Sequence, residues 1–95
     1  MKRPCVYMLA NKRNGTLYVG VSSDLSRRVE VHKTDTVDGF TKRYAVHLLV
    51  YAEFHETMED AIVCEKQLKK WRRAWKVDLI ERDNPQWLDL SEQLE

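Results

Sequence analysis

Apolar and polar residues alternate in blocks along the chain, and these blocks predict three strands and three helices. Strand-forming residues occupy 5–10 and 16–21, and the polar segment between them ends in Asn14-Gly15. Asn-Gly is typical of two-residue hairpin turns, because both residues tolerate a positive φ. We therefore expect a β-hairpin at the start of the chain. A third strand, rich in Val, Leu and Tyr, is expected over 45–54.

The first helix is expected over residues 24–33. Ser22-Ser23 supplies a hydroxyl that can cap its first turn, and Asp24 is an acid in that turn. The following segment, 34–43, is polar and contains Gly39, which predicts a loop.

The second helix begins after Thr57, because Thr57 and Asp60 match the pattern of a capping box. An apolar stripe at helical spacing follows, formed by Ala61, Cys64, Leu68, Trp71 and Trp75. The stripe predicts a core-facing side, so both tryptophans are expected in the core. The helix is expected to reach the low 70s, before a second short helix over 74–81 that ends at Asn84-Pro85.

The order of elements is β-β-α-β-α-α, which predicts an α+β layered domain: a three-stranded, mainly antiparallel sheet flanked by helices. Ninety-five residues favour a single domain over 1–95. Apolar runs fall far short of the roughly 20 residues of a membrane helix, so no membrane contact is expected. Cys5 and Cys64 lie in apolar stretches, which favours reduced thiols in a cytoplasmic protein without a secretory signal.

The charges are segregated along the chain. Sixteen basic and fifteen acidic residues give a net charge of +1, which by itself argues against a strongly basic nucleic-acid binder. Residues 81–95, however, hold five of the acids and one base, which leaves +5 on residues 1–80. Six basic residues and no acid occur within 66–76, at Lys66, Lys69, Lys70, Arg72, Arg73 and Lys76. A basic face on a nearly neutral protein is one interpretation, and a solvated helix face is the other.

Side chains alternate along a strand, so the hairpin places Tyr7 and Tyr18 on one face in any register whose paired residues sum to an odd number. Gly20 shares that face and offers no side chain, which often marks a close approach by a ligand or another backbone. Two packing tyrosines are the alternative interpretation of this face.

Two helical positions also carry candidate chemistry. Asp24, Arg28 and His32 recur every four residues and therefore share one side of the first helix. Glu65 lies at the edge of the apolar stripe, where a carboxylate is partly hydrated. It can pair with Lys69 on the surface, or bind a metal at the rim of a cleft.

These residues resemble a known family. The triplets Cys5-Val6-Tyr7 and Tyr18-Val19-Gly20 resemble the two signature triplets of GIY-YIG nucleases, although Cys and Val replace the first Gly and Ile. Asp24-x-x-x-Arg28-x-x-x-His32 resembles the next motif, and Glu65 resembles the metal-binding acid. The segments 40–44, 65–75 and 84–90 are similar to those of small stand-alone bacterial members, so the resemblance covers nearly the whole chain.

The resemblance implies a phosphodiesterase that cuts strands of DNA or RNA with the help of one Mg²⁺ or Mn²⁺. DNA is the expected substrate. Glu65 would hold the cation, and Arg28 would grip the phosphate. Tyr7 or Tyr18 would act as general base or position the water, while His32 would assist proton transfer or contact the phosphate.

If the basic run binds nucleic acid, Lys69, Lys70 and Arg73 are expected to contact phosphates, and Gly20 is expected to let the substrate approach. Tyr44 and Asn84 are candidates for contacts with the substrate or with the shell of the metal. A chain of this length leaves no room for a separate recognition domain. Selectivity is therefore expected from the shape of the nucleic acid, a protein partner or a homodimer. The alternative function is a non-catalytic nucleic-acid-binding or interaction module of the same fold, and a purely structural partner is a third.

Overall fold

The computed structural model describes residues 3–33 and 45–94. Its elements are β1 (Cys5–Ala10), β2 (Leu17–Ser22), α1 (Leu25–Lys33), β3 (Leu48–Phe54), α2 (Met58–Lys70) and α3 (Arg73–Asp83), followed by a 3₁₀ helix (Leu90–Gln93). The predicted α+β order is confirmed. Within the described residues, no helix is both long and apolar enough to cross a membrane.

The sheet has the order β2-β1-β3, and both of its pairings are antiparallel. All six residues of β1 are buried, because this central strand is covered on both faces. One core lies between the sheet and α2–α3, and includes Met8, Val50 and Leu68. The other lies between the sheet and α1, and includes Leu9 and Val29. The result is a three-layer domain in which β2 is an edge strand.

The predicted two-residue turn at Asn14-Gly15 is wrong. Leu9 pairs with Tyr18 and Ala10 with Leu17, so the loop spans 11–16. The Asn11 side-chain oxygen accepts a hydrogen bond from the Thr16 N–H at 2.9 Å, which holds this wider loop closed. Asn14 still adopts the expected positive φ, at 58°. The paired residues again sum to an odd number, so the predicted facing of the tyrosines survives the change of register.

Two element boundaries also differ from prediction. Asp24 precedes α1 and is its cap rather than part of its first turn, since its side-chain oxygen accepts from the Arg27 N–H at 3.4 Å. The third strand begins at Leu48 instead of residue 45, and Ala45 has a φ of 53°, which interrupts an extended chain. The predicted loop over 34–43 lies outside the described residues.

The helices after β3 confirm the Thr57 cap, whose side chain accepts from the Asp60 N–H at 3.1 Å. The continuous apolar stripe, by contrast, is wrong at its end. Helix α2 stops at Lys70, and Trp71 adopts extended backbone angles at the cap. Trp75 lies in α3, which confirms the predicted second helix over 74–81, but both tryptophans are exposed rather than in the core. In the C-terminal segment, Trp87 is buried whereas Leu88 is exposed.

Candidate active site

Tyr7 and Tyr18 form a contact on the sheet face that packs against α1. Tyr7 is paired with Gly20 and Tyr18 with Leu9, so the two phenols are diagonal neighbours across the antiparallel strands. Their ring centroids lie 6.3 Å apart, and the ring planes are tilted by 46°. The structure thus brings together the two tyrosines that parity places on one face.

The two phenols differ in accessibility. Tyr7 is only 1% exposed, whereas Tyr18 is half-buried. Burial raises the pKa of Tyr7 well above its usual value, the neighbouring Tyr18 adds to the rise, and the positive charge of Arg28 opposes it. Tyr7 therefore keeps its proton at neutral pH. Tyr18 is the phenol of this pair that a substrate can reach.

Gly20 makes room for the pair. A Cβ atom at this position would lie 2.6 Å from the Tyr7 hydroxyl oxygen and 2.9 Å from a ring carbon of Tyr18. The close approach expected at Gly20 is present, but the approaching groups are the tyrosine rings. Gly20 therefore supports the site by leaving room for the tyrosines. The space above Gly20 is not open to substrate, because the Tyr7 ring fills it.

Arg28 lies on the exposed side of α1. Its backbone N–H donates to the Asp24 carbonyl at 3.1 Å, in the first turn of the helix. With Ser22, Ser23 and Asp24, it lines an open groove of about 350 Å³. Its charge acts on the Tyr7 phenol from this position. A guanidinium beside the phenol pair offers the paired N–H donors that bind phosphate oxygens.

Glu65 lies on α2, on the opposite side of the sheet from α1. Because β2 is an edge strand, groups from both layers can meet around its outer side. Tyr18, Lys69 and Lys76 line one groove of about 250 Å³ there. Lys69 Nζ lies 3.1 Å from Glu65 Oε2, and the Glu65 side chain is 15% exposed. Lys69 thus connects Glu65 to the groove that contains Tyr18.

Two residues expected to contact substrate are engaged within the protein. One Arg73 nitrogen donates to the backbone carbonyls of Asn14 at 2.8 Å and Gly15 at 2.6 Å, which ties α3 to the hairpin loop. Asn84 is buried, and its amide donates to the carbonyls of Val50 at 3.1 Å and Leu88 at 2.9 Å. In this structure, therefore, both side chains support the fold.

The remaining predicted residues fall into two groups. Lys70 is exposed at the end of α2. Tyr44 and the side chain of His32 lie outside the described part of the chain, so their predicted roles stay predictions. Sequence reasoning did not single out Lys76 as a site residue, although it was part of the basic run. The break before a helix over 74–81 was predicted, but the groove that Lys76 lines depends on how α3 lies beside β2.

A separate polar cluster lies at the end of β3. Glu53, His55 and Cys64 each offer a potential metal-ligand atom, and these atoms lie within 4.8 Å of one another. Glu53 is already engaged without an ion: it accepts hydrogen bonds from Tyr51 and Cys64, and His55 Nε2 lies 2.8 Å from Oε2. A sulfur, nitrogen and oxygen donor set suits borderline metals such as zinc rather than Mg²⁺. We therefore keep this cluster apart from the site at Glu65.

The fold and the first site define a class of protein. It is a small α+β domain whose edge hairpin carries a phenol pair, with a guanidinium on one side and a partly buried carboxylate on the other. Phosphodiester chemistry uses this set of groups: a hydroxyl near the attacking water, a cation on the phosphate and an oxygen ligand for a metal.

Comparisons with known proteins identify the family. The model of the GIY-YIG catalytic domain matches residues 3–78. UPF0213 proteins of Staphylococcus aureus strains Mu50 and N315 are each 40% identical over 68 residues, which cover 70% of this chain and 82% of theirs. The solution NMR structure of UPF0213 protein BH0048 from Bacillus halodurans has a TM-score of 0.57 at 22% identity, and the match covers 97% of both chains. The chain belongs to the GIY-YIG family, which indicates a nuclease-type function on nucleic acid.

Proposed function

We propose that the protein is a divalent-metal-dependent phosphodiesterase that cleaves nucleic acid, and DNA rather than RNA. One observation carries this proposal: the accessible Tyr18 lines a groove with Lys69, which is the ion-pair partner of Glu65. On the other side, the positive charge of Arg28 acts on Tyr7, the phenol that contacts Tyr18. A carboxylate and a guanidinium thus lie in the two helical layers on either side of the edge strand that carries the reachable phenol. A phosphodiester placed there would meet all three kinds of group at once.

The residues around Glu65 fit a hard cation. Glu65 is a partly buried carboxylate that already holds the positive charge of Lys69. Mg²⁺ and Mn²⁺ prefer oxygen ligands, and Mg²⁺ is commonly bound by one or two carboxylates with waters and substrate phosphates. Bound there, the cation would neutralise charge that develops on the phosphate. The ion pair between Lys69 and Glu65 would then break, and Lys69 would become available for phosphate contacts.

The protein groups divide the remaining work. Arg28 binds the scissile phosphate, since its exposed guanidinium can donate two parallel hydrogen bonds. Tyr18 positions the attacking water or accepts its proton. Tyr7 is a positioning residue, because it is buried and acts through its contact with Tyr18. Lys69, Lys70 and Lys76 supply phosphate contacts that do not depend on sequence.

Selectivity for a substrate requires more than these groups. We propose that it comes first from the shape of the nucleic acid, since phosphate contacts read no sequence. A protein partner or a second copy of the chain is the other proposed source. Sedimentation of the purified protein with and without branched DNA tests the second copy. A shift from monomer to dimer on binding supports it, and a protein that binds as a monomer favours recognition of the shape alone.

A cleavage assay tests the proposed function. The purified protein is incubated with single-stranded, duplex and branched DNA, and with RNA, in Mg²⁺ or Mn²⁺. Glu65→Gln and Arg28→Ala are each expected to reduce cleavage by roughly 100-fold or more, the effect of removing one electrostatic group from an active site. Glu59→Gln and Arg82→Ala are the matched controls, because both residues are exposed and neither lines the grooves of the site.

The outcome separates the candidate functions. Metal-dependent cleavage that is lost in both site variants but kept in both controls supports the enzyme. Salt-dependent binding without cleavage, across all substrates and metals, contradicts the enzyme and supports the non-catalytic module. Neither binding nor cleavage would leave a structural role.

A further inference from the structure

Two tryptophans are exposed at the junction of α2 and α3. Trp71 is 36% exposed and Trp75 is 51% exposed. Their rings meet edge to face with centroids 6.0 Å apart, so they are ordered against each other. Adjacent exposed aromatic side chains are the kind of apolar surface that marks a binding site on a folded protein.

The surroundings of this pair are cationic. The guanidinium carbon of Arg72 lies 4.9 Å from the centroid of the Trp75 ring, within the range of a cation–π contact. Within 66–76 the chain has six basic residues and no acidic one. The core of a protein–protein interface is typically depleted of charge. Aromatic side chains among basic ones are instead typical of surfaces that bind single-stranded nucleic acid.

The tryptophan pair also adjoins the candidate active site. Lys69 and Lys76, which bracket the junction in sequence, line the groove that contains Tyr18. Arg73, within the junction, donates hydrogen bonds to two carbonyls of the hairpin loop. The junction is thus fastened to the hairpin that carries the phenols. A strand that passes through the groove can reach the tryptophans within a few nucleotides.

We propose that Trp71, Trp75 and Arg72 form a stacking surface for the bases of an unpaired nucleic-acid strand beside the cleavage site. The proposal rests on the proposed function and names its substrate class: a nucleic acid with a single-stranded segment, such as a flap, an overhang or a branch. Bases inside a duplex are stacked on one another and offer no free face. A base of an unpaired strand can stack on Trp75 whatever its sequence.

Equilibrium binding in EDTA tests the stacking surface without any cleavage. The probes are labelled oligothymidine and oligouridine of about 12 nucleotides, within the usual site sizes of single-strand binders, and a blunt-ended DNA duplex of two annealed strands. Trp75→Ala is expected to weaken binding of the single strands by roughly 5- to 150-fold, the loss for one stacked base. Binding of the duplex is expected to stay nearly unchanged.

Two further variants separate stacking from charge and from misfolding. Trp75→Phe keeps an aromatic face and is expected to retain most of the affinity. Trp75→Ala removes no phosphate contact, so the slope of log K against log salt is expected to stay the same. Leu88→Ala, at an exposed apolar residue outside the junction, is the control and is expected to bind as the unmodified protein does.

The possible results divide cleanly. Loss of single-strand affinity in Trp75→Ala supports the surface, and the thymidine and uridine probes show whether it accepts DNA alone or both. Equal loss for duplex and single strand, or no loss, overturns it. Single-strand binding through Trp75 by a protein that never cleaves leaves the surface standing and removes the nuclease. Cleavage of a flap substrate at an unchanged rate and affinity by Trp75→Ala removes the surface alone.

Discussion

Tyr18 and Tyr7 are an unequal pair, and the inequality follows from their depth in the hairpin. Tyr7 is enclosed between the sheet and α1, where burial raises its pKa and keeps its proton in place. Tyr18 lies closer to the edge and lines a groove with two lysines. The missing side chain of Gly20 lets the two rings approach. One phenol thus supports the other, which lines the groove.

Removal of each hydroxyl is therefore expected to have different effects. Tyr18→Phe is expected to lower the single-turnover rate of cleavage by about 100-fold or more, the usual contribution of a group that moves or orients a proton. Tyr7→Phe is expected to lower the same rate by a factor roughly tenfold smaller, because the Tyr7 hydroxyl acts through Tyr18. A larger loss in Tyr7→Phe than in Tyr18→Phe would contradict the assignment.

A methyl group at Gly20 is expected to damage both the fold and the site. Gly20→Ala forces the Tyr7 ring out of a packed position, a strain of about 1–3 kcal/mol in the free energy of unfolding. Cleavage per folded molecule is expected to fall as well, since Tyr18 loses its support. Urea unfolding and a rate measurement check the two effects, and Glu56→Ala serves as the control at an exposed residue outside the grooves of the site. Unchanged stability would show that the ring has room to move.

At the scale of elements, the break between α2 and α3 determines which basic side chains lie beside the candidate active site. Trp71 ends α2 in an extended conformation, its N–H donates to the Leu68 carbonyl at 3.1 Å, and α3 starts at Arg73. The chain therefore changes direction just where the basic residues are densest. Lys76 reaches the Tyr18 groove and Arg73 reaches the hairpin loop, while the two tryptophans stay outside the core.

Some of this could be predicted from the sequence, and the reasons are physical. The facing of Tyr7 and Tyr18 was predictable because alternation along a strand has a period of two, which tolerates the register error. The exposure of Trp75 was not, because the apolar spacing continues across the predicted helix break and tertiary packing decides which of these residues are buried. The role of Asn84 was hidden for a similar reason, since the Val50 carbonyl it binds is far away in sequence.

The support that Asn84 gives to the end of α3 yields a prediction at this scale. Asn84→Ala leaves the buried Val50 carbonyl without its donor and is expected to lower the free energy of unfolding by about 1–3 kcal/mol. Cleavage per folded molecule is expected to stay normal, because the side chain makes no substrate contact. Urea unfolding gives the first quantity, with Asp83→Ala as an exposed neighbouring control. A selective loss of cleavage at normal stability would return Asn84 to the substrate site.

At the scale of the whole molecule, the basic run beside the candidate active site and the Glu53 cluster on β3 lie in separate regions. The acidic segment after residue 80 leaves an excess of +5 on the rest of the chain, and the basic run lies beside the candidate site. The Glu53 cluster lies at the end of β3, the opposite edge strand from β2. Glu53 connects β3 to α2 through its contacts with Tyr51 and Cys64. Its effect should therefore appear in folding rather than in substrate binding.

The pH dependence of stability tests this role of Glu53. Hydrogen bonds from Tyr51 and Cys64 and the charge of His55 lower the pKa of Glu53 below its usual value of about 4.5. A lowered pKa contributes stability above pH 4.5 that is lost as the pH falls through the folded-state pKa. Glu53→Gln is expected to cost ~1 kcal/mol or less at neutral pH, since solvent screens a partly exposed carboxylate. A deficit that stays constant in acid urea titrations would contradict this.

Single-turnover cleavage of a flap-bearing DNA duplex by Glu65→Gln, at a saturating protein concentration and over a Mn²⁺ titration, tests the central claim most directly. Saturation removes differences in binding, so the rate reports the chemical step alone. The proposed site predicts that the unmodified protein cleaves in proportion to bound Mn²⁺, and that Glu65→Gln binds the DNA but cleaves it at least roughly 100-fold more slowly at every Mn²⁺ concentration. Equal rates for the two proteins would contradict the assignment of Glu65 as the metal ligand of a phosphodiesterase.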